Sequence, residues 1–83
     1  MINLAYPTID ICQTGLRLKA LRKQNSINNT DLAAYLHLSS PRVIHRWHAG
    51  ECLPSLDHMY ALSVLYDISM NEMIVRAEDS DPS

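Results

Sequence analysis

The sequence predicts an all-α protein of five short helices in a single domain, on three observations. Apolar residues recur at three- and four-residue spacing in separate stretches, as on one face of a helix, and no stretch alternates with the two-residue period of a half-buried strand. Residues that start helices stand before those stretches: Asn28, Ser40 followed by Pro41, Ser55, and Ser69 with Glu72 three positions on. Finally, a chain of 83 residues that is 47% hydrophobic has material for one small core and is too apolar to remain disordered.

Taken in order, residues 1–13 read as an N-terminal arm. Pro7 disfavours helix at Tyr6, while Ile2, Leu4, Tyr6, Ile9 and Ile11 are too apolar for a solvated tail. The arm is expected to pack along the domain or on a second subunit. Thr14 or Gly15 opens the first helix, which runs to about Gln24 or Asn25. Leu18 and Leu21 point inward. Leu16 and Ala20 lie on another side, where the arm can meet them, and Arg17, Lys19 and Lys23 form a solvated face. Asn25-Ser26 breaks the helix, and Ile27 returns to the core. Asn28 caps the second helix, with Asp31 in its first turn favouring the positive end of the dipole, and Leu32, Ala33 and Leu36 share a face.

Ser40 caps the third helix with Pro41 at its first position, and Gly50 stops it. Val43, Ile44 and Trp47 make its inner side, so Trp47 belongs to the core. Arg42, His45, Arg46 and Ala49 make the outer side. Residues 51–54 form a loop. Ser55 caps a fourth helix, on which Leu56, Met59, Leu62 and Leu65 predict a continuous buried stripe. Ser69 and Glu72 begin a last short helix with Met73 and Ile74 inward. Residues 77–83 read as a flexible acidic tail.

The net charge of −2 does not announce a nucleic-acid binder, but its distribution is informative. Residues 1–50 carry six basic side chains against Asp10 and Asp31, a net +4, whereas residues 51–83 carry Arg76 against seven acids, a net −6. That asymmetry is compatible with one basic face. No run approaches the roughly 20 apolar residues of a membrane span, and the start lacks the pattern of a signal peptide. Cys12 and Cys52 are too few for a disulfide framework, so free thiols in a cytoplasmic protein are expected.

The third helix anchors itself through a Trp and two aliphatics and turns two Arg and a His outward. Around it the chain resembles the Cro/CI-type helix-turn-helix domains of the XRE family of transcriptional regulators. The matches are Leu21-Arg22 at the end of the first helix, Leu32-Ala33 in the second, and Ile44-His45-Arg46-Trp47 with Gly50 in the third. Leu53-Pro54 and the Ile68-Ser69 step follow. Their order and intervals, from about Gly15 to Ile74, carry the resemblance. It implies a compact, phage-repressor-like five-helix fold, with residues 14–76 as the helix-turn-helix domain.

The sequence departs from the family in three places. Asn29 replaces a Gln that helps dock the second helix on a phosphate; Asn is shorter but keeps donor and acceptor. His37 stands where Gly is usual, in a turn one residue longer, so the left-handed residue of that turn is expected to move or to vanish. His48 stands where a Glu often pairs with the first helix's Arg. Arg22 must then find Asp31, Asp57 or a backbone carbonyl, or face the DNA.

The resemblance implies double-stranded DNA as the partner, with the helix Pro41–Ala49 in the major groove. Arg42 is the foremost base-reading candidate, because a guanidinium can bond guanine at two points, with His45 and Pro41 beside it. Asn29, Thr30, Ser39, Ser40 and Arg46 are the phosphate candidates. The expected function is sequence-specific transcriptional regulation, as a repressor. The alternative is a protein-interaction or antitoxin-like module on the same fold. A homodimer, paired through the arm or the last helices, is expected to read a two-fold site. No cofactor, metal or small-molecule ligand is expected. His45, His48, Cys52 and His58 could be imagined around zinc, but no paired-Cys motif accompanies them. An enzyme is not expected either, since no nucleophile, base and orienting group stand at recognisable spacing.

Overall fold

The computed structural model describes residues 7–77, which form five helices: α1 (Ile11–Gln24), α2 (Asn29–Tyr35), α3 (Arg42–His48), α4 (Leu56–Tyr66) and α5 (Met70–Met73). Leu18 and Leu21 of α1, Leu32, Ala33 and Leu36 of the α2 region, Ile44 and Trp47 of α3, Met59, Leu62 and Tyr66 of α4, and Met73 of α5 close into one core. Ile27, Val43, Leu65 and Ile74 pack around it, half-buried. α1 lies against both α3 and α5, and α4 leads into α5.

Side-chain caps start most of these helices. Asn28 Oδ1 accepts from Asp31 N–H at 2.7 Å, Ser55 Oγ from His58 N–H at 3.3 Å, and Ser69 Oγ from Glu72 N–H at 3.2 Å. Each satisfies a backbone donor that a helix start leaves without a partner. α1 begins earlier than the sequence reading has it. Asp10 Oδ1 caps it through Gln13 N–H at 3.0 Å, so residues 11–13 are helix and not arm. Pro7 restricts only its predecessor, and nothing after it prevents Asp10 from capping. Thr14 and Gly15 are consequently buried in the helix instead of opening it.

α3 differs by one residue in the other direction. Pro41 is the capping position and not the first helical one, with its carbonyl accepting from Ile44 N–H at 3.0 Å and His45 N–H at 3.2 Å. Ser40 still serves the helix start, its Oγ accepting from Arg42 N–H at 3.3 Å.

Four helices end in the same way. A residue at positive φ donates its N–H to the carbonyl three back, and the next residue donates to the carbonyl five back, as in a Schellman motif. These residues are Ser26 (φ 57°), His37 (φ 60°), Gly50 (φ 78°) and Asp67 (φ 57°). The expectation that the left-handed residue of the helix-turn-helix moves or vanishes is therefore corrected. His37 adopts it, because the backbone bonds of the motif fix that geometry whatever side chain is present.

The predicted stripe on α4 holds at Met59 and Leu62 and fails at Leu56, which is 72% exposed. At 3.6 residues per turn, a three-residue repeat slips by about 60° at each step, so a stripe drawn from 56 to 65 winds about half a turn around the helix. Tyr66, not Leu56, completes the buried face. Leu16, expected to meet the arm, is 54% exposed.

Of the arm, Ile2, Leu4 and Tyr6 lie outside the described residues, as do residues 78–83 of the expected tail. Its described part pairs with the end of the domain. Asp10 N–H donates to Val75 O at 2.8 Å and Ala77 N–H to Thr8 O at 2.9 Å, making an antiparallel bridge between Ile9 and Arg76. Thr14, fully buried, fastens the same segment by accepting from Val75 N–H at 3.0 Å. Arg17 is less free than a solvated face suggests, since its Nε donates to the carbonyl of Glu72.

Candidate nucleic-acid interface

The orientation of α3 is set from within. Ile44 is fully buried and Trp47 is 3% exposed, with the Trp47 ring 5.7 Å from that of His58. Gly15 sets the distance to α1: a Cβ there would lie 2.3 Å from the carbonyl oxygen of Trp47, so only glycine lets α1 approach the end of α3 this closely. Gly50, at positive φ, sits against Cys12 on the same helix. Cys12 and Cys52 are free thiols. With Ile44 and Trp47 held inside, Arg42, His45, Arg46 and Ala49 face outward.

The site residues named from sequence fall into two groups. Ser39, Ser40, Arg42 and Arg46 line a shallow groove with Leu38 and Val43 at the start of α3. Arg46 Nε lies 3.4 Å from Glu51 Oε1, a pair with both side chains more than half exposed and therefore weak. Asn29 and His45 meet on the other side of α3, with Asn29 Nδ2 3.5 Å from His45 Nε2. Thr30 is exposed on α2, outside both groups, and Pro41 is half-buried at the entry to α3.

Around Asn29 and His45 the structure gathers residues that the sequence reading left in solvent or unassigned. Lys19, Arg22 and Lys23 of α1, Asn29 of α2, and His45, His48 and Ala49 at the end of α3 line one pocket. Arg22 resolves the question posed by His48: its Nη1 donates to the carbonyl of Ile27 at 2.7 Å. Its Nε, however, is buried without a partner, as is Oδ1 of Asn29. His48 is held neutral, its pKa lowered to about 4 by burial first and then by Arg22, Lys19, His45 and Lys23. Burial pushes the Tyr66 hydroxyl up to about 12, against the opposing charge of Arg22. The spacing of Lys19, Arg22 and Lys23, one helical turn, was the available signal that these cations share a face.

A buried-stripe helix turned outward by two arginines and a histidine, preceded by a short helix and a tight turn, defines a helix-turn-helix protein of all-α architecture. Residues 18–73 match the family described as Helix-turn-helix, and the chain belongs to it, in the XRE or Cro/CI type. No curated protein sequence matches the chain. Among solved structures it is similar to the restriction-modification controller protein C.AhdI from Aeromonas hydrophila, at 25% identity and a TM-score of 0.67, over 77% of this chain and 91% of that one. It is also similar to the P22 c2 repressor in complex with synthetic operator 9T, at 27% identity and a TM-score of 0.66, over 72% and 89%. The hydroxypropylphosphonic acid epoxidase of S. wedmorenis shares the fold at 19% identity and a TM-score of 0.69, over 80% of this chain but 35% of that one.

Proposed function

We propose that this protein is a sequence-specific DNA-binding transcriptional regulator, a repressor, that lays the segment Pro41–Ala49 in the major groove. The observation that carries the reading is the two-sidedness of α3, with Ile44 and Trp47 buried and Arg42, His45 and Arg46 outward, in a chain of the helix-turn-helix family. Arg42 reads base edges through two parallel hydrogen bonds, aided by His45 and by the placement of Pro41. Arg46, Ser39, Ser40, Asn29 and Thr30 hold phosphates and fix the register. The resemblance to a repressor solved on an operator supports this role. The epoxidase resemblance, confined to about a third of that enzyme, is to its fold and carries no catalytic role to this chain. The protein acts in the cytoplasm as a homodimer on a two-fold site. Analytical ultracentrifugation tests the dimer, and a monomer at high concentration removes it.

Selection from a random duplex library, followed by titration of the winner with wild type and Arg42→Ala, tests the DNA reading. The expected result is one enriched motif, with the mutant losing discrimination at one position by roughly 1–3 kcal/mol. Absence of enrichment at low salt overturns it. One observation favours an interaction module instead: Leu56, Tyr60 and Val64, 72%, 64% and 59% exposed, form an apolar row at four-residue spacing along α4. Salt separates the two readings, since phosphate binding weakens steeply with added salt and apolar docking does not.

A further inference from the structure

Seven large apolar side chains among the described residues are exposed, and five of them stand together: Leu53, Leu56, Tyr60 and Val64 on or just before α4, and Tyr35 beside it. At 3.6 residues per turn a four-residue step drifts by only about 40°, so Leu56, Tyr60 and Val64 keep to one strip of the helix. Tyr35 joins them from α2, its hydroxyl donating to the carbonyl of Ala61 at 3.2 Å. Ala61, small and half-buried, leaves a low floor between Tyr35 and the strip. Contiguous apolar surface of this kind marks a place that a partner covers. The charge around it says which partner. Asp57 and Asp67 at the two ends of α4, and Asp31 one turn before Tyr35 on α2, are exposed, and none is in an ion pair among the described residues. No lysine or arginine occurs between Trp47 and Val75 to answer them.

We infer that this face docks an amphipathic helix of a second protein, one whose apolar stripe is bordered by lysine or arginine. The helix lays anchors three or four residues apart along Leu56, Tyr60 and Val64, against Tyr35, with its cations over Asp31, Asp57 and Asp67. The apolar strip carries the affinity, and the acids select the partner and its orientation. A second copy of this chain fits less well on two counts. A two-fold contact sets a patch against its own image, which brings acid to acid. A lasting homodimer also buries about 800 Å² on each partner, from roughly 20–30 residues a side, whereas this strip has the width of one helix. None of the five apolar residues lines the groove at the start of α3 or the pocket at its end. Docking therefore leaves Arg42, His45 and Arg46 free, and the inference goes beyond the DNA reading without depending on it.

The test is selection from a phage-displayed library of helical peptides with randomised surfaces. The full chain is the bait, and the double variant Tyr60→Ser, Val64→Ser is the counter-bait. Both substitutions fall at exposed positions, and a urea midpoint close to that of wild type confirms that the variant is folded. The expected winners carry apolar residues three and four apart with lysine or arginine on both flanks. The double variant is expected to bind them at least tenfold more weakly. Asp57→Lys is expected to weaken the same peptides several-fold and to prefer versions with glutamate in place of the basic flanks. No enrichment over the counter-bait overturns the inference, as do winners with acidic or uncharged flanks. A wild-type dimer in analytical ultracentrifugation that dissociates in the double variant also overturns it, because a second copy then covers the face. The selection uses no DNA, so its outcome and that of the duplex library are read separately.

Discussion

Three of the four helix ends that use a left-handed residue do so without glycine, and His37 is the most consequential. It holds φ at 60° in the turn between α2 and α3, where an L side chain crowds the following carbonyl. The chain accepts this cost because Leu38 N–H must reach the Ala33 carbonyl at 2.8 Å to close the turn. His37 is exposed, so its side chain gives little in return. His37→Gly is therefore expected to stabilise the protein by about 1 kcal/mol, read as a higher urea midpoint with unchanged slope. A lower midpoint would show that the imidazole makes a stabilising contact in the turn. The same residue marks a limit of sequence reading. The hydrogen bonds of the turn, not the side chain, decide who takes positive φ, and those bonds are not written in residue type. Caps are different: Asn28, Ser55 and Ser69 each bond an amide three positions on, an interaction short enough to be legible.

Among the elements, the contact between α1 and the end of α3 governs the site. Gly15 is buried in the middle of a 14-residue helix, where glycine weakens the helix itself, so its place has to be explained by packing. Its missing side chain admits the carbonyls of Trp47 and His48. Gly15→Ala adds helix propensity yet drives a methyl into backbone that cannot rotate away. The expected balance is a loss of about 1–3 kcal/mol, as in other overpacked sites, with weakened DNA binding because α3 is displaced. Denaturant unfolding together with duplex titration reads both effects; an Ala variant as stable as wild type would mean the helices separate freely. The helices were legible because each carries its own periodicity and stop. The meeting of Lys19, Arg22 and Lys23 with His45 and His48 was not, since it depends on this approach of α1 to α3. Leu56 shows the converse error: a repeat that looks regular in sequence turns away from the core within three steps.

Across the whole molecule, three of the six basic side chains of residues 1–50, Lys19, Arg22 and Lys23, converge on one pocket, and a response to acid follows from the burial and the charge that His48 meets there. In the unfolded chain His48 titrates near 6.5; in the folded chain burial and the neighbouring cations lower it to about 4. Above pH 6.5 the residue is neutral in both states and pH has no leverage through it. As pH falls from about 6.5 toward 4, the unfolded chain binds a proton that the folded chain refuses, so stability is lost over that window, and below it the loss is complete. His48→Gln, neutral throughout, removes this contribution. Urea midpoints of wild type and variant should therefore hold a constant separation at neutral pH and move against the wild type as the solution is acidified. Parallel pH dependences would mean that His48 titrates normally and that the cations around it are screened by water.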